Sequence, residues 1–261
     1  MRFCANLNFL FCEGNGSVLD KFRLAQKSGF KGVEISFPPD ELLDKLVPTQ
    51  QECRLDTVLI NICLKGSDAV KFGPTSVPGE EDQFKSNLKE TVDLAKKMKC
   101  GKIHLMAGKL TDKPRSEHLK TYINNLKYAS KILEENNLIG LIEPINKYSL
   151  PNYFLDSYEV AVEVLKEVNS SNVKLMVDVF HLQHINGNVT NTFKELSDYI
   201  GHVQIAQVPH RHEPDVPGEL DFTYVFQAMK DFGYDGWVGC EYKPKNRSED
   251  GLKWVEKHGS F

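Results

Sequence analysis

Residues 138–178, with the sequence LIGLIEPINKYSLPNYFLDSYEVAVEVLKEVNSSNVKLMVD, contain the pattern that decides the fold. Apolar runs at Leu138–Glu143 and Val173–Asp178 predict two strands, and the amphipathic segment Asp156–Val168 between them predicts a helix. Both strands are apolar along nearly their whole length, which is typical of parallel strands that helices cover on both faces. The stretch therefore predicts a strand–helix–strand unit of an α/β protein.

The same alternation runs through the whole chain and predicts eight strands, each followed by a helix. The strands are predicted at Arg2–Phe9, Gly32–Phe37, Leu55–Leu64, Lys102–Ala107, Leu138–Glu143, Val173–Asp178, His202–Ala206 and Gly236–Glu241. The helices are predicted at Ser17–Ser28, Asp40–Cys53, Glu80–Lys99, Ser116–Asn136, Asp156–Val168, Thr190–Tyr199, Phe222–Phe232 and Ser248–Lys257.

A repeat of roughly 33 residues, counted eight times, is typical of a (β/α)8 TIM barrel. We therefore expect residues 1–261 to form a single (β/α)8 barrel catalytic domain. A doubly wound open sheet is the structural alternative. It is disfavoured because no G-x-G-x-x-G sequence follows the first strand.

Composition and charge narrow the class of protein. The chain is 41% hydrophobic and 26% charged, which excludes a disordered or collagen-like protein. It has 36 acidic and 32 basic residues and a formal net charge of −4, so we expect no nucleic-acid partner. No apolar run approaches about 18 residues, so we expect no membrane partner. The six cysteines lack C-x-x-C spacing, and the start of the chain lacks the pattern of a signal peptide. Both observations indicate a cytoplasmic protein with reduced thiols.

Four of the predicted strands carry an oxygen ligand at the end where a barrel builds its active site. Glu143, Asp178 and Glu241 end strands five, six and eight, and Gln204 lies in strand seven. Neighbouring strands lie about 4.8 Å apart, so these side chains can converge on one ion. Three carboxylates and a carboxamide suit a divalent cation, Mg²⁺ or Mn²⁺ ahead of Co²⁺ or Zn²⁺. Four separate solvated polar residues are the alternative.

Histidines and an arginine accompany this set. His181 lies one turn past Asp178, and His210 and Arg211 lie in the loop after strand seven. An arginine there is a natural partner for a substrate carboxylate, which it can hold with two parallel hydrogen bonds. His212 lies in the same loop as Arg211. We interpret five other histidines as ordinary strand, helix or loop residues: His104, His118, His184, His202 and His258.

Six strings together carry a resemblance to a known family. They are GFKGVEISFP (29–38), IHLMAGK (103–109), LIEPINKYSLPNYFL (141–155), MVDVFHLQ (176–183), HVQIAQVPHRHEPDVPGELDF (202–222) and WVGCEYKPK (237–245). With these, the chain resembles the hydroxypyruvate isomerase family of xylose-isomerase-like barrels over nearly its whole length. One departure is that Pro209-His210-Arg211 stands where the family has Pro-Gly-Arg.

The resemblance implies an isomerase that interconverts hydroxypyruvate and 2-hydroxy-3-oxopropanoate (tartronate semialdehyde). It implies metal ligands at Glu143, Asp178, Gln204 and Glu241, with Glu143 and Glu241 also acting as the acid/base pair. His181 and Arg211 are expected near the substrate, and either Arg211 or His210 would bind its carboxylate. No nucleotide cofactor is expected, and a homo-oligomer is compatible with the sequence.

Three alternatives remain open from the sequence. The first is a related sugar isomerase or ketose 3-epimerase, since metal, carboxylate pair and enediolate chemistry are shared. The second is a metal-dependent endonuclease of the same fold, which the acidic net charge disfavours. The third is a non-catalytic barrel that binds a partner.

Overall fold

The eight strands of the chain pair in sequence order and close into one parallel barrel. A computed structural model describes all 261 residues. The strands are β1 (Arg2–Asn6), β2 (Gly32–Ile35), β3 (Asp56–Asn61), β4 (Lys102–His104), β5 (Ile139–Ile142), β6 (Val173–Asp178), β7 (Ile200–Ile205) and β8 (Trp237–Cys240). The predicted (β/α)8 fold is confirmed.

Helices follow every strand. They are α1 (Val18–Lys27), α2 (Leu43–Cys53), α3 (Glu81–Lys97), α4 (Arg115–Glu135), α5 (Tyr158–Val168), α6 (Val179–Ile185), α7 (Val189–Leu196), α8 (Phe222–Asp231) and α9 (Val255–His258). None of them has both the length and the apolar character needed to cross a membrane.

Two predicted helices differ from the structure. Between β6 and β7 the helix predicted at Thr190–Tyr199 corresponds to α7, but a second helix, α6, begins directly after β6 and is not predicted from the sequence. The Asp178 side chain causes this early start by accepting a hydrogen bond from the Phe180 amide at 2.9 Å, which caps the helix. The closing helix predicted at Ser248–Lys257 is likewise divided, into a 3₁₀ turn and α9.

Two compact units make up the chain: residues 1–58 with 177–261, and residues 59–176. In the first unit β8 pairs with both β1 and β7, and Val238 lies opposite Phe3 and Val203. The Phe3 ring packs edge-on against Phe226 and Trp254, with centroids 5.4 and 4.8 Å away. This aromatic cluster packs α8 against β1, the strand that pairs with β8.

The second unit holds β4 between β3 and β5. His104 of β4 lies opposite Asn61 of β3 and Leu141 of β5 in the strand register. Leu59 of β3, Leu141 of β5 and Met176 of β6 form a buried apolar cluster. The pairing register of β4 with β5 sets the position of the end of β5, and Glu143 directly follows that end. The expectation of one domain over residues 1–261 stays a prediction.

Candidate active site

Three of the predicted ligands lie at the carboxyl ends of strands in the first unit. Asp178 is the last residue of β6, Gln204 is the penultimate residue of β7, and Glu241 directly follows β8. Asp178 and Gln204 are buried, and the Glu241 side chain is only 15% exposed. Polar groups buried at a strand end must find partners, because an unpaired buried carboxylate costs several kcal/mol.

Arg211 supplies one of those partners. One of its terminal nitrogens donates to Asp178 Oδ2 at 2.9 Å and pairs with Glu241 Oε2 at 3.1 Å. Its Nε donates to the Glu241 carbonyl at 3.2 Å, and the guanidinium lies 4.5 and 4.8 Å from the ring centres of Phe9 and Phe180. The arginine is thus held between two aromatic rings and bridges two of the predicted ligands.

The electrostatics of this pair favour additional positive charge. Burial raises the pKa of the Glu241 carboxyl well above its ordinary value and also raises the pKa of Asp178, while the Arg211 charge opposes both shifts. Two buried carboxyl groups this close to one another resist being ionised together. A further cation would allow both to carry their charge.

The two histidines predicted near the substrate have different environments. His181, in the first turn of α6, is buried, and its Nε2 lies 3.5 Å from Asp178 Oδ2. His210 is exposed, and its ring centre lies 5.9 Å from that of His212. Only His181 is therefore brought beside a predicted ligand.

Gln204 provides a test of whether a metal ion fits these residues. Its Nε2 donates to the carboxylate of Glu34, on β2, at 2.7 Å. Its Oε1 is buried and accepts no hydrogen bond. A buried amide oxygen without a donor costs free energy, and such an oxygen is a suitable ligand for a hard divalent cation. The residues of the first unit therefore fit a metal ion.

The fourth predicted ligand, Glu143, belongs to the second unit. It directly follows β5 and is buried, and its Oε2 lies 3.6 Å from Nε2 of His104 on β4. The Tyr153 hydroxyl accepts a hydrogen bond from the Ala107 amide at 2.8 Å. Burial raises the pKa of Tyr153, and the charge of Glu143 raises it further. Glu143 thus lies among buried polar groups, as a functional carboxylate does.

Two residues with contacts to the predicted ligands were not predicted from the sequence. His104 was interpreted as an ordinary strand histidine, yet it lies beside Glu143. Glu34 is outside the predicted set, although it is an acidic residue in a short apolar strand. An acidic residue within an apolar strand is a feature by which the sequence could identify Glu34 as a site residue. The sequence around His104 has no comparable feature.

Comparisons with known proteins agree with this architecture. The family model described as xylose isomerase-like TIM barrel matches residues 22–258. A relative from Drosophila melanogaster, provisionally named a hydroxypyruvate isomerase, is 49% identical over 99% of this chain and 98% of its own. The hydroxypyruvate isomerase of Escherichia coli K12 is 35% identical over 99% of both chains. A Brucella melitensis structure titled AP endonuclease, family 2 is 36% identical, with a TM-score of 0.93 and 99% of both chains covered.

Proposed function

This chain is an isomerase of the hydroxypyruvate isomerase family of xylose isomerase-like TIM barrels, and from that premise we propose that it interconverts hydroxypyruvate and 2-hydroxy-3-oxopropanoate. The observation that carries the proposal is the buried set of strand-end oxygens, with Arg211 between Asp178 and Glu241. The substrate is a small hydroxy-keto acid that carries one carboxylate.

The proposed metal ligands are Glu143, Asp178, Gln204 and Glu241. The support comes from the unsatisfied Gln204 oxygen, from the resistance of Asp178 and Glu241 to joint ionisation, and from strand order, which makes β5 to β8 successive. Mg²⁺ or Mn²⁺ suits oxygen ligands of this kind. When bound, such an ion would stabilise the negative charge that develops on the oxygens of an enediolate.

Proton transfer is assigned to Glu143 and Glu241. One takes a proton from the hydroxymethyl carbon of hydroxypyruvate, and the other delivers a proton to the former ketone carbon. For the shift of a proton between the two substrate oxygens, the proposed carriers are solvent or His181, whose Nε2 lies 3.5 Å from Asp178 Oδ2.

Arg211 is proposed to recognise the substrate carboxylate, with His210 as the second candidate. Its guanidinium is nearly buried and already fixed by Phe9 and Phe180. A fixed guanidinium binds a carboxylate at a smaller entropic cost than a mobile one.

Cellular setting forms the last part of the proposal. All six cysteines are free, and five of them are buried, which fits a reducing compartment such as the cytoplasm. Neither nucleic acid nor membrane is proposed as a partner.

The test is turnover of a substrate panel by the purified protein, followed by proton NMR with Mg²⁺, with Mn²⁺ or after exhaustive chelation. We expect hydroxypyruvate to be the best substrate, with most activity lost on chelation and recovered with either ion. The same panel contains four-carbon hydroxy-keto acids, neutral ketohexoses and a duplex with an abasic site.

Each rival has its own outcome in this panel. A higher kcat/KM for a neutral ketohexose would replace the proposal with a sugar isomerase or 3-epimerase. Cleavage of the duplex would indicate an endonuclease. Full activity in protein shown by mass spectrometry to lack metal would remove the metal from the proposal.

A further inference from the structure

A buried hydrogen-bond cluster lies on the far side of Gln204 from its unsatisfied oxygen. Its centre is the carboxylate of Glu34, which is 1% exposed. Oε2 accepts hydrogen bonds from Gln204 Nε2 at 2.7 Å and from Asn6 Nδ2 at 2.9 Å. Oε1 contacts His202 Nε2 at 2.6 Å and accepts from Cys4 Sγ at 3.3 Å.

The chemistry of a carboxylate determines which way the Gln204 amide points. An ionised carboxylate only accepts hydrogen bonds, so the Gln204 atom at 2.7 Å must be the NH₂ group. Rotating the amide would bring two oxygens together at that distance. The Gln204 oxygen is consequently directed away from Glu34, and it is the atom that accepts no hydrogen bond.

The rest of the cluster keeps the Glu34 carboxylate charged and in place. His202 is fully buried and donates from Nε2, because Glu34 cannot donate to it. Gly239 of β8 leaves the space: a Cβ at that position would overlap the Glu34 carboxylate. Cys4, Glu34 and His202 are residue types that bind metals, and their ligand atoms lie close together. Both Glu34 oxygens, however, already accept hydrogen bonds from nitrogen or sulfur donors, so we do not propose a metal ion there.

We infer that Glu34 is a positioning residue that holds the Gln204 amide with its oxygen directed toward the metal ligands. The inference rests on the proposed metal site. Without the Glu34 charge, either end of the Gln204 amide could face the ion, and an NH₂ group does not coordinate a cation. Hydrogen bonds to metal ligands of this kind typically change metal affinity by about 10- to 100-fold.

The test is Mn²⁺ binding by calorimetry to chelator-treated, desalted protein. Glu34→Gln should weaken Mn²⁺ binding by about 10- to 100-fold. The matched control is Glu213→Gln, because Glu213 is also a buried carboxylate and accepts from the Lys245 amide at 3.0 and 3.1 Å. This control should bind Mn²⁺ within about threefold of the unmodified chain, since a glutamine oxygen can still accept.

A double-mutant cycle separates positioning from a general structural effect. In a Gln204→Ala background, Glu34→Gln should weaken Mn²⁺ binding by less than about threefold further. Side-chain amide NMR gives a readout without metal: the Gln204 signals, assigned by their absence in Gln204→Ala, should shift in Glu34→Gln. If Glu34→Gln does not fold, Glu34→Asp keeps the charge while withdrawing the carboxylate by about 1.5 Å, and the same loss is expected.

The outcomes distinguish this inference from the proposed function. If Gln204→Ala weakens Mn²⁺ binding but the Glu34 variants do not, the positioning role is refuted and the metal site stands. Fully additive losses in the cycle would also refute positioning. If Gln204→Ala binds Mn²⁺ as the unmodified chain does, the proposed ligand set itself is wrong.

Discussion

Replacing Arg211 with glutamine should destabilise the metal-free protein. The guanidinium is the cation that the structure places between Asp178 and Glu241, at 2.9 and 3.1 Å. The Arg211→Gln variant keeps a polar, hydrogen-bonding side chain, but the side chain is shorter and loses the charge. It also loses the cation–π contacts with Phe9 and Phe180.

The magnitude follows from burial. Asp178 is fully buried and the Arg211 side chain is 12% exposed, so this is a buried ion pair. Removing one partner of such a pair costs about 3–5 kcal/mol. We take about 3 kcal/mol, because the arginine retains some contact with solvent. For a chain of this size each kcal/mol lowers the melting temperature by about 2–4 °C, so the expected loss is roughly 6–12 °C.

Thermal unfolding in chelator, followed by circular dichroism, measures this loss. Arg211→Lys is the control, because it keeps the charge without the planar fork and should lose less than half as much. Mn²⁺ at about 100 times its dissociation constant should stabilise the unmodified chain by about 2.7 kcal/mol and recover most of the loss in Arg211→Gln. A melting temperature for Arg211→Gln within about 1 °C of the unmodified chain would refute the reasoning.

Three further predictions concern catalysis and pH. Glu143→Gln and Glu241→Gln should each lower kcat by at least about 100-fold while substantial metal is retained; near-normal turnover with bound metal would contradict the acid/base assignment. Arg211→Ala should raise KM for hydroxypyruvate far more than for dihydroxyacetone, and equal effects would turn attention to His210. Burial lowers the pKa of His118, whose Nε2 accepts from the Thr111 amide at 3.1 Å. The neutral His118 side chain should therefore contribute to the free energy of unfolding above its ordinary pKa of 6.5. This contribution should be lost as the pH falls through the lower pKa that His118 has in the folded protein. The free energy of unfolding, measured by urea titration at several pH values, should fall less between pH 6.5 and lower pH in His118→Gln than in the unmodified chain.

The fold could be predicted because each strand carries its own signal. A parallel strand that is buried on both faces needs apolar residues at consecutive positions, as in Val173–Asp178. Such a run can be recognised from a short stretch of sequence alone. Boundaries were less accurate. β4 ends at His104 rather than at Ala107, and the Ala107 amide donates to the Tyr153 hydroxyl. α6 was missed because Asp178 both ends a strand and caps the helix that follows it.

The predicted site residues and the missed ones differ in how far apart their partners lie along the chain. A carboxylate at the end of a strand, such as Asp178, can be recognised from its own position, because all strands of a parallel barrel end at one rim. The contact between Glu34 and Gln204 joins residues 170 positions apart on strands that are not neighbours in the barrel. No periodicity or spacing encodes such a contact; it depends on both side chains pointing inward and on Gly239 leaving room.

This difference has a chemical consequence for the candidate site. Sequence reasoning identifies Gln204 as a residue that has an oxygen, but a carboxamide presents either an oxygen or an NH₂ group depending on its partner. A carboxylate needs no such partner, because both of its oxygens are acceptors and either one can coordinate an ion. The carboxamide is therefore the one proposed ligand whose function requires a fixed neighbour. The buried carboxylate of Glu34, which also contacts His202, is the neighbour that the structure provides.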